Sequence, residues 1–189
     1  FSNGELVAFK FDTGRPLWSE NLSKFSIITN FDINDISGSP VINKNSIYAL
    51  SSNGKLVALN AINGMRNWTI DFSGYRTPLI SGSQIFVINE DAKLICLNKD
   101  SGDIYWITDL GKYRKGAKAE NLNMWLGPYM INSLLFNISY FGEVMAVSPL
   151  TGDILMEENI GIREILAPPI ITSESIFVAN GNSDVFKFK

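Results

Sequence analysis

The chain has 189 residues, of which 46% are hydrophobic and 19% are charged, and this composition supports a packed core and excludes an intrinsically disordered protein. Its 16 basic and 19 acidic residues leave a formal net charge of −3, which argues against electrostatic capture of nucleic acid. The absence of histidine and the presence of one cysteine exclude histidine-based acid–base chemistry, zinc sites built from histidines or several cysteines, and an internal disulfide.

An internal repeat organises the sequence, and its clearest copy covers residues 52–68. Five positions recur in every copy at the same spacing and without gaps, and repeats of about 40–50 residues indicate an array of similar structural units. In chain order, the four copies read Leu6, Ala8, Phe9, Gly14 and Trp18; Leu56, Ala58, Leu59, Gly64 and Trp68; Leu94, Cys96, Leu97, Gly102 and Trp106; and Val144, Ala146, Val147, Gly152 and Met156.

Further apolar segments precede each copy and follow a proline, at Pro40, Pro78, Pro128 and Pro169. All segments are short, rich in Val, Ile, Phe and Tyr, and bounded by Gly, Asn, Ser or Pro, which is typical of strands joined by tight turns. A unit is expected to have its first strand after the proline, its second at Ser46–Leu50, its third at residues 55–60 and its fourth through Trp68. No helical periodicity is present.

Turn residues separate these strands and favour an antiparallel meander. Residue pairs that accept a positive φ are predicted to form tight turns between consecutive strands. These pairs are Asn53-Gly54 between second and third strands, and Ser101-Gly102 and Thr151-Gly152 between third and fourth strands.

The predicted fold class is all-β: a single β-propeller fragment made of about four blades, each a four-stranded antiparallel sheet. A twisted sheet of this kind buries both faces only between neighbouring blades, which favours a propeller over a sandwich. The blades are predicted at approximately residues 1–20 (partial), 38–70, 76–110, 126–158 and 167–189 (partial). The partial units predict a fragment of a longer protein. Its N-terminal fourth strand would complete the last blade, or two copies of this half-propeller would associate into a ring.

The recurring Gly and Trp residues are interpreted as structural blade-packing residues. An aromatic side chain can also stack on a flat cofactor or a sugar, but recurrence at one position of each unit favours packing between adjacent sheets. The set comprises Gly14, Trp18, Gly64, Trp68, Gly102, Trp106, Gly152 and Met156. Cys96 occupies the position of Ala8, Ala58 and Ala146, which favours a small buried side chain over a reactive thiol.

Two long connections are the candidate partner-binding sites. The connections from Trp18 to Pro40 and from Trp106 to Pro128 are equal in length, and each is more than twice as long as the one from Trp68 to Pro78. Long loops on a rigid scaffold commonly carry binding residues. The alternative is a solvated loop, or a flap that covers a neighbouring blade. Trp125 falls outside the repeated positions and is expected to be the freest aromatic residue. The candidate residues are Asp32, Asp35, Ile36, Lys112, Tyr113, Arg114, Lys115 and Trp125.

Several motifs carry a family resemblance. The pattern from Gly54 to Trp68 resembles the quinoprotein-like repeats of eight-bladed propellers. More narrowly, the chain resembles the C-terminal half of the BamB family in its alphaproteobacterial form. The motifs that carry the narrower resemblance are Asp35-Ile-Ser-Gly-Ser-Pro-Val-Ile, Ile47-Tyr-Ala-Leu, Trp125-Leu-Gly-Pro and Val147-Ser-Pro-Leu-Thr-Gly.

The resemblance implies a non-catalytic scaffold of the outer-membrane β-barrel assembly machinery. Such a protein is a periplasmic lipoprotein, with its lipid anchor expected upstream of this chain. It docks on the periplasmic domains of BamA, contacts other components of the machinery and assists the insertion of nascent outer-membrane proteins. The resemblance also implies a partner-facing role for the acidic loop at Asp35 and Ile36, although Ser37 stands where a second acidic residue is usual.

No catalytic, cofactor-binding or metal-binding residue is predicted. The alternative of a quinone-dependent dehydrogenase would require calcium-binding carboxylates, a catalytic Asp and usually adjacent cysteines, and the chain has no cysteine pair. A second alternative is a propeller that senses a ligand.

Overall fold

The computed structural model describes residues 4–22, 36, 38–52, 54–114, 121–165, 167–172 and 175–188. These residues form strands and turns, and none of the described segments is an α-helix. Accordingly, the described part of the chain contains no helix with the length and apolar character needed to cross a membrane. The chain divides into two compact units, Phe1–Glu90 with Ile95–Ile107 and Asp91–Leu94 with Thr108–Lys189.

The strands are short and follow the repeat. In chain order they are β1 (Glu5–Phe9), β2 (Pro16–Asn21), β3 (Val41–Asn43), β4 (Ser46–Leu50), β5 (Leu56–Asn60), β6 (Arg66–Ile70), β7 (Leu79–Ser81), β8 (Gln84–Ile88), β9 (Lys93–Asn98), β10 (Ile104–Asp109), β11 (Trp125–Ile131), β12 (Leu134–Ser139), β13 (Glu143–Val147), β14 (Ile154–Asn159), β15 (Ile170–Ile171), β16 (Ile176–Ala179) and β17 (Val185–Phe188).

Neighbouring strands in the sequence are also neighbours in the sheets. Three sheets have four strands each, in the orders β3-β4-β5-β6, β7-β8-β9-β10 and β11-β12-β13-β14. The described residues at the two ends form a two-stranded sheet, β1-β2, and a three-stranded sheet, β15-β16-β17. The predicted four-stranded antiparallel units are therefore confirmed.

In the first unit, the sheet β3-β4-β5-β6 is buried on both faces. Four residues of β4 and β5, Tyr48, Leu50, Leu56 and Ala58, pack with Ile85, Val87, Ile95 and Leu97. The alternate residues Ile47, Ala49, Val57 and Leu59 pack with Leu22. Because successive side chains of a strand point to opposite faces, strands covered on both sides are apolar at every position. Full burial of each large aliphatic side chain contributes about 1.5–3 kcal/mol.

The second unit has its own apolar core. Its cluster comprises Leu126, Ile138, Val144, Ile162, Ile165 and Val178. Partly buried aromatic side chains, among them Tyr129 and Phe136, pack around this cluster. The sheets β11-β12-β13-β14 and β15-β16-β17 both supply residues, so they share one hydrophobic interior.

Turns between third and fourth strands have the backbone that the repeat predicts. Gly102 and Gly152 have φ of +80° and +79°, a region that residues with a Cβ adopt at a cost. Asn98 accepts hydrogen bonds at its side-chain oxygen from the amides of Asp100 and Ser101, which closes the turn. Asn53 of the other predicted turn lies outside the described residues.

The first strand of the third four-stranded sheet differs from the prediction. β3, β7 and β15 begin after their prolines, but β11 begins at Trp125, ahead of Pro128. The pairing of β11 with β12 shifts register between Leu126 and Tyr129. This irregularity accommodates a proline that lacks an amide donor within a strand.

Candidate partner-binding surface

Trp18 and Trp68 each lie on the glycine of the following repeat. A Cβ atom added to Gly64 would lie 2.7 Å from the Trp18 ring, and one added to Gly102 would lie 3.0 Å from the Trp68 ring. The Trp18 indole donates a hydrogen bond to the carbonyl of Ala61 at 3.1 Å. Each ring therefore has a face against backbone.

Trp68 shows the same arrangement in the second copy of the repeat. Its indole nitrogen donates to the carbonyl of Lys99 at 2.9 Å, and its ring centroid lies 6.0 Å from that of Tyr48. The flat face of the Trp68 indole is therefore packed against protein atoms, and its N–H group is hydrogen-bonded.

The remaining repeated positions also lie among protein atoms, with one exception. Trp106 packs beside Phe86 with ring centroids 5.9 Å apart, and Met156 packs against the apolar cluster of the second unit. The carbonyl of Gly152 accepts a hydrogen bond from the Thr108 hydroxyl. A Cβ atom added to Gly14 would meet no described atom within 4 Å.

Cys96 is fully buried, as its position in the repeat predicts. Burial raises the pKa of its thiol to about 11, because a thiolate loses its hydration in an apolar environment. The side chain therefore remains a neutral thiol at physiological pH and lacks the thiolate that nucleophilic chemistry requires.

Of the three candidate residues in the first long connection, the structure describes only Ile36. Asp32 and Asp35 lie outside the described residues. Ile36 is half-buried and packs against the cluster that includes Leu22, Ile47 and Leu59. Its side chain thus contributes to the core of the first unit.

The second candidate connection folds back on itself in the second unit. Tyr113 and Leu122 form an antiparallel bridge. The amide of Arg114 donates to the carbonyl of Asn121, and the amide of Asn123 donates to the carbonyl of Lys112. Lys115 lies outside the described residues. Backbone pairing therefore orders both limbs of this connection.

Three side-chain contacts stabilise the two paired segments, residues 112–114 and 121–123. The Lys112 ammonium lies 2.6 Å from the Asp91 carboxylate, and the Asn123 amide donates to the Glu143 carboxylate. The Arg114 guanidinium lies over the Phe141 ring, 5.2 Å from its centroid. The hydrogen bond and charge of Lys112 lower the pKa of Asp91. Lys112 and Arg114 are consequently engaged by the chain itself.

Trp125 is buried, and the prediction of a free aromatic residue in a long connection is wrong. It is the first residue of β11, its side chain is 0% exposed, and its indole donates to the carbonyl of Gly111 at 2.9 Å. Alternation explains the result, because Asn123 and Trp125 point inward while Leu122 and Met124 point outward. Trp125 supports the candidate surface from beneath.

An apolar patch remains on the outer side of this connection. Tyr113, Leu122 and Met124 are each between 43% and 55% exposed, and we refer to these three residues as the 113–124 patch. Of them, only Tyr113 is among the residues predicted from sequence. Alternation of side chains ahead of Trp125 could have identified Leu122 and Met124 as outward-facing residues. It becomes recognisable only when β11 is known to begin at Trp125.

Within the described ranges, no three His, Cys, Asp or Glu side chains gather in a group that could hold a metal ion. The polar contacts that the structure describes on the two paired segments of this connection are an ion pair and hydrogen bonds within the chain. The arrangement presents an apolar surface on an ordered support, which suits protein contact.

A family model described as outer membrane protein assembly factor BamB matches residues 1–108, more than half of the chain. The chain belongs to the BamB family. Among curated relatives, BamB of Kangiella koreensis is 34% identical over 74 residues, which cover 39% of this chain and 19% of the relative. The chain thus matches about a fifth of that relative's length.

Solved structures extend the likeness to the whole chain. The crystal structure of BamB from Moraxella catarrhalis matches with a TM-score of 0.79 and 18% identity, covering 100% of this chain and 53% of that one. The predicted β-propeller fold is therefore confirmed. A europium-containing methanol dehydrogenase also matches, with a TM-score of 0.60 and 13% identity over 84% of this chain and 38% of that one. At this identity the likeness shows the fold alone, and BamB-type and dehydrogenase propellers share it.

Proposed function

We propose that the chain is part of a non-catalytic scaffold in the assembly of outer-membrane proteins, as its resemblance to the BamB family implies. The match of the BamB family model to more than half of the chain is the observation that carries this proposal. The scaffold would dock on the periplasmic domains of BamA and assist the insertion of nascent outer-membrane proteins. Its location would be the periplasmic face of the outer membrane, through a lipid anchor outside this chain.

We assign the BamA contact to the 113–124 patch. Its three apolar side chains are exposed, while ion pairing, hydrogen bonding and the buried Trp125 order the backbone beneath them. A pre-ordered surface loses little conformational entropy on binding. Arg114 would add a basic contact at the rim of the patch. Lys115 and the loop with Asp32, Asp35 and Ile36 remain further proposed contacts.

Binding to immobilised BamA periplasmic domains tests this assignment. Leu122→Glu and Met124→Glu place a charge where an apolar contact would be buried, and we expect each to weaken binding at least about tenfold, which corresponds to about 1.4 kcal/mol. Ile62→Glu is the matched control, because Ile62 is exposed in the turn between β5 and β6. Unchanged affinity of both patch variants would reject the patch, and no binding of the wild-type chain would reject docking on BamA.

A quinone-dependent dehydrogenase is the alternative that the shared propeller fold keeps open. Titration with pyrroloquinoline quinone and calcium, followed by dye-linked alcohol oxidation, distinguishes the two functions. Saturable cofactor binding with turnover would overturn the scaffold proposal, whereas a scaffold gives neither.

A further inference from the structure

The fourth strands of the four-stranded sheets, β6, β10 and β14, which we call the outer strands, carry different side chains at equivalent positions. In β6 three exposed positions carry Arg66, Asn67 and Thr69. The same positions of β10, in the next copy of the repeat, carry Ile104, Tyr105 and Ile107, each between 48% and 52% exposed. The same positions of β14 carry Ile154 and Leu155, which are 43% and 59% exposed, and Glu157, which is followed by Glu158. Among these three strands, only β10 is apolar at all three positions.

β10 is also the last strand of its sheet in the part of the chain that the structure describes. An edge strand presents unpaired backbone amides and carbonyls, and proteins usually protect such edges with charged residues or proline. From Ile104 to Thr108, β10 has neither. β6 carries Arg66, and β14 carries Glu157 and Glu158. Along this stretch β10 therefore lacks a charge that the two sister strands have.

The exposed side chains of β10 lie on both faces of the strand, and a hydrogen bond orients one of them. Tyr105 accepts a hydrogen bond at its hydroxyl from the Asn98 amide, at 2.8 Å. Alternation along the strand places Tyr105 and Ile107 on one face and Ile104 on the other. Both faces beside the edge therefore offer apolar contacts to whatever pairs with the backbone.

We propose that β10 is a binding edge for an extended, alternately apolar strand of an unfolded outer-membrane β-barrel protein. The edge selects an extended chain because only such a backbone aligns its amides and carbonyls with those of β10. The uncharged stretch favours apolar side chains in the added strand. Strands of outer-membrane barrels alternate apolar and polar residues, so they meet both requirements. The assignment of this client class rests on the proposed function.

Fluorescence anisotropy with synthetic peptides tests the proposal. The probe is a labelled ten-residue peptide that alternates Val or Tyr with Thr or Ser, and its control carries N-methyl groups on alternate backbone nitrogens. We expect saturable binding of the first peptide, and at least tenfold weaker binding of the N-methylated one because it lacks backbone donors. Equal binding of the two peptides, or no binding of either, would overturn the proposal.

Variants locate the binding site. Ile107→Lys should weaken the affinity at least tenfold, and Ile107→Thr, which introduces the residue type of the equivalent position in β6, should weaken it in the same direction while preserving a β-branched side chain. Thr69→Lys is the matched control and should change the affinity less than twofold. Equal effects of Ile107→Lys and Thr69→Lys would reject β10 as the site.

Two further outcomes separate this edge from other contacts. Loss of self-association in Ile107→Lys without loss of peptide binding would identify β10 as a contact between copies, which also rejects the proposal. Binding to BamA domains is measured separately with the same variants, so failure of peptide binding with intact BamA binding rejects this edge and leaves the scaffold function standing.

Discussion

Gly14 and Gly64 occupy the same position of successive repeats, but only Gly64 lies under a tryptophan ring. Both have a positive φ, +63° and +73°, and a Cβ atom at Gly64 would meet Trp18 at 2.7 Å. We predict that Gly64→Ala lowers the free energy of unfolding by about 3 kcal/mol, from backbone strain and the displaced ring. Urea denaturation measures this loss.

Gly14→Ala is the matched control for this prediction. It should lose only about 1 kcal/mol, because it introduces the same left-handed strain into open space. Equal losses for the two variants would show that the backbone alone, and not the Trp18 ring, requires glycine in the repeat.

The Asp91 carboxylate gives the segment at Lys112 a defined pH dependence. Because pairing with Lys112 lowers its folded pKa, the stabilisation is present above the unfolded pKa, near 3.8. It is lost as the pH falls through the folded pKa. We predict that Lys112→Met raises the Asp91 pKa toward its ordinary value, as measured by carboxyl NMR titration.

Lys93→Met is the comparison for the Asp91 titration. Lys93 lowers the Asp91 pKa through its charge alone, and its contribution is smaller than that of Lys112. Removal of Lys93 should therefore raise the pKa less than removal of Lys112. A larger effect of Lys93→Met would contradict the ion pair between Lys112 and Asp91.

At the scale of the element, the strands were predictable and their contacts were not. The second strand was predicted at Ser46–Leu50 and observed there, because local composition and turn residues define short strands. The inward position of Trp125 depends on the early start of β11 and on the Gly111 carbonyl. The pairing of Lys112 with Asp91 joins positions on either side of β9 and β10, and no local pattern reports it.

A variant in β11 tests whether the buried Trp125 side chain keeps the 113–124 patch ordered. Trp125→Phe removes the hydrogen bond to the Gly111 carbonyl, and we predict a loss of about 1–3 kcal/mol in unfolding free energy. The amide of Asn123, which bonds to the Lys112 carbonyl, should also exchange faster with deuterium.

Tyr113→Phe is the control for Trp125→Phe, because it changes an exposed ring of the same connection. It should alter the free energy of unfolding by less than about 0.5 kcal/mol. Wild-type stability and unchanged Asn123 exchange in Trp125→Phe would show that the patch does not depend on the buried indole.

At the scale of the whole molecule, the sequence predicts either closure of the half-propeller on itself or pairing of two copies, and the exposure of β17 bears on the second arrangement. Val185 of β17 is 69% exposed, whereas Leu56, at the equivalent position of β5, is 0% exposed. We predict that the chain self-associates at micromolar concentrations, because a second copy would cover this apolar strand. Sedimentation velocity should show a mass that rises with concentration.

Val185→Lys should shift this equilibrium toward the monomer, whereas Ile62→Lys, in an exposed turn, should leave it unchanged. A monomer mass at all concentrations would exclude the paired ring.

Repeats predict which residues make the blades, but the choice of partner depends on surfaces that differ from blade to blade, such as β10 and the 113–124 patch.

The contact of Trp18 with Gly64, and of Trp68 with Gly102, has an evolutionary consequence. The second repeat supplies a tryptophan ring to its successor and a glycine to its predecessor, so duplication of such a repeat copies both halves of the contact. Such an array can gain or lose members through unequal recombination without inventing a new interface. Substitutions at a ring position should therefore be accompanied by substitutions in the next repeat along the gene, rather than within the same repeat.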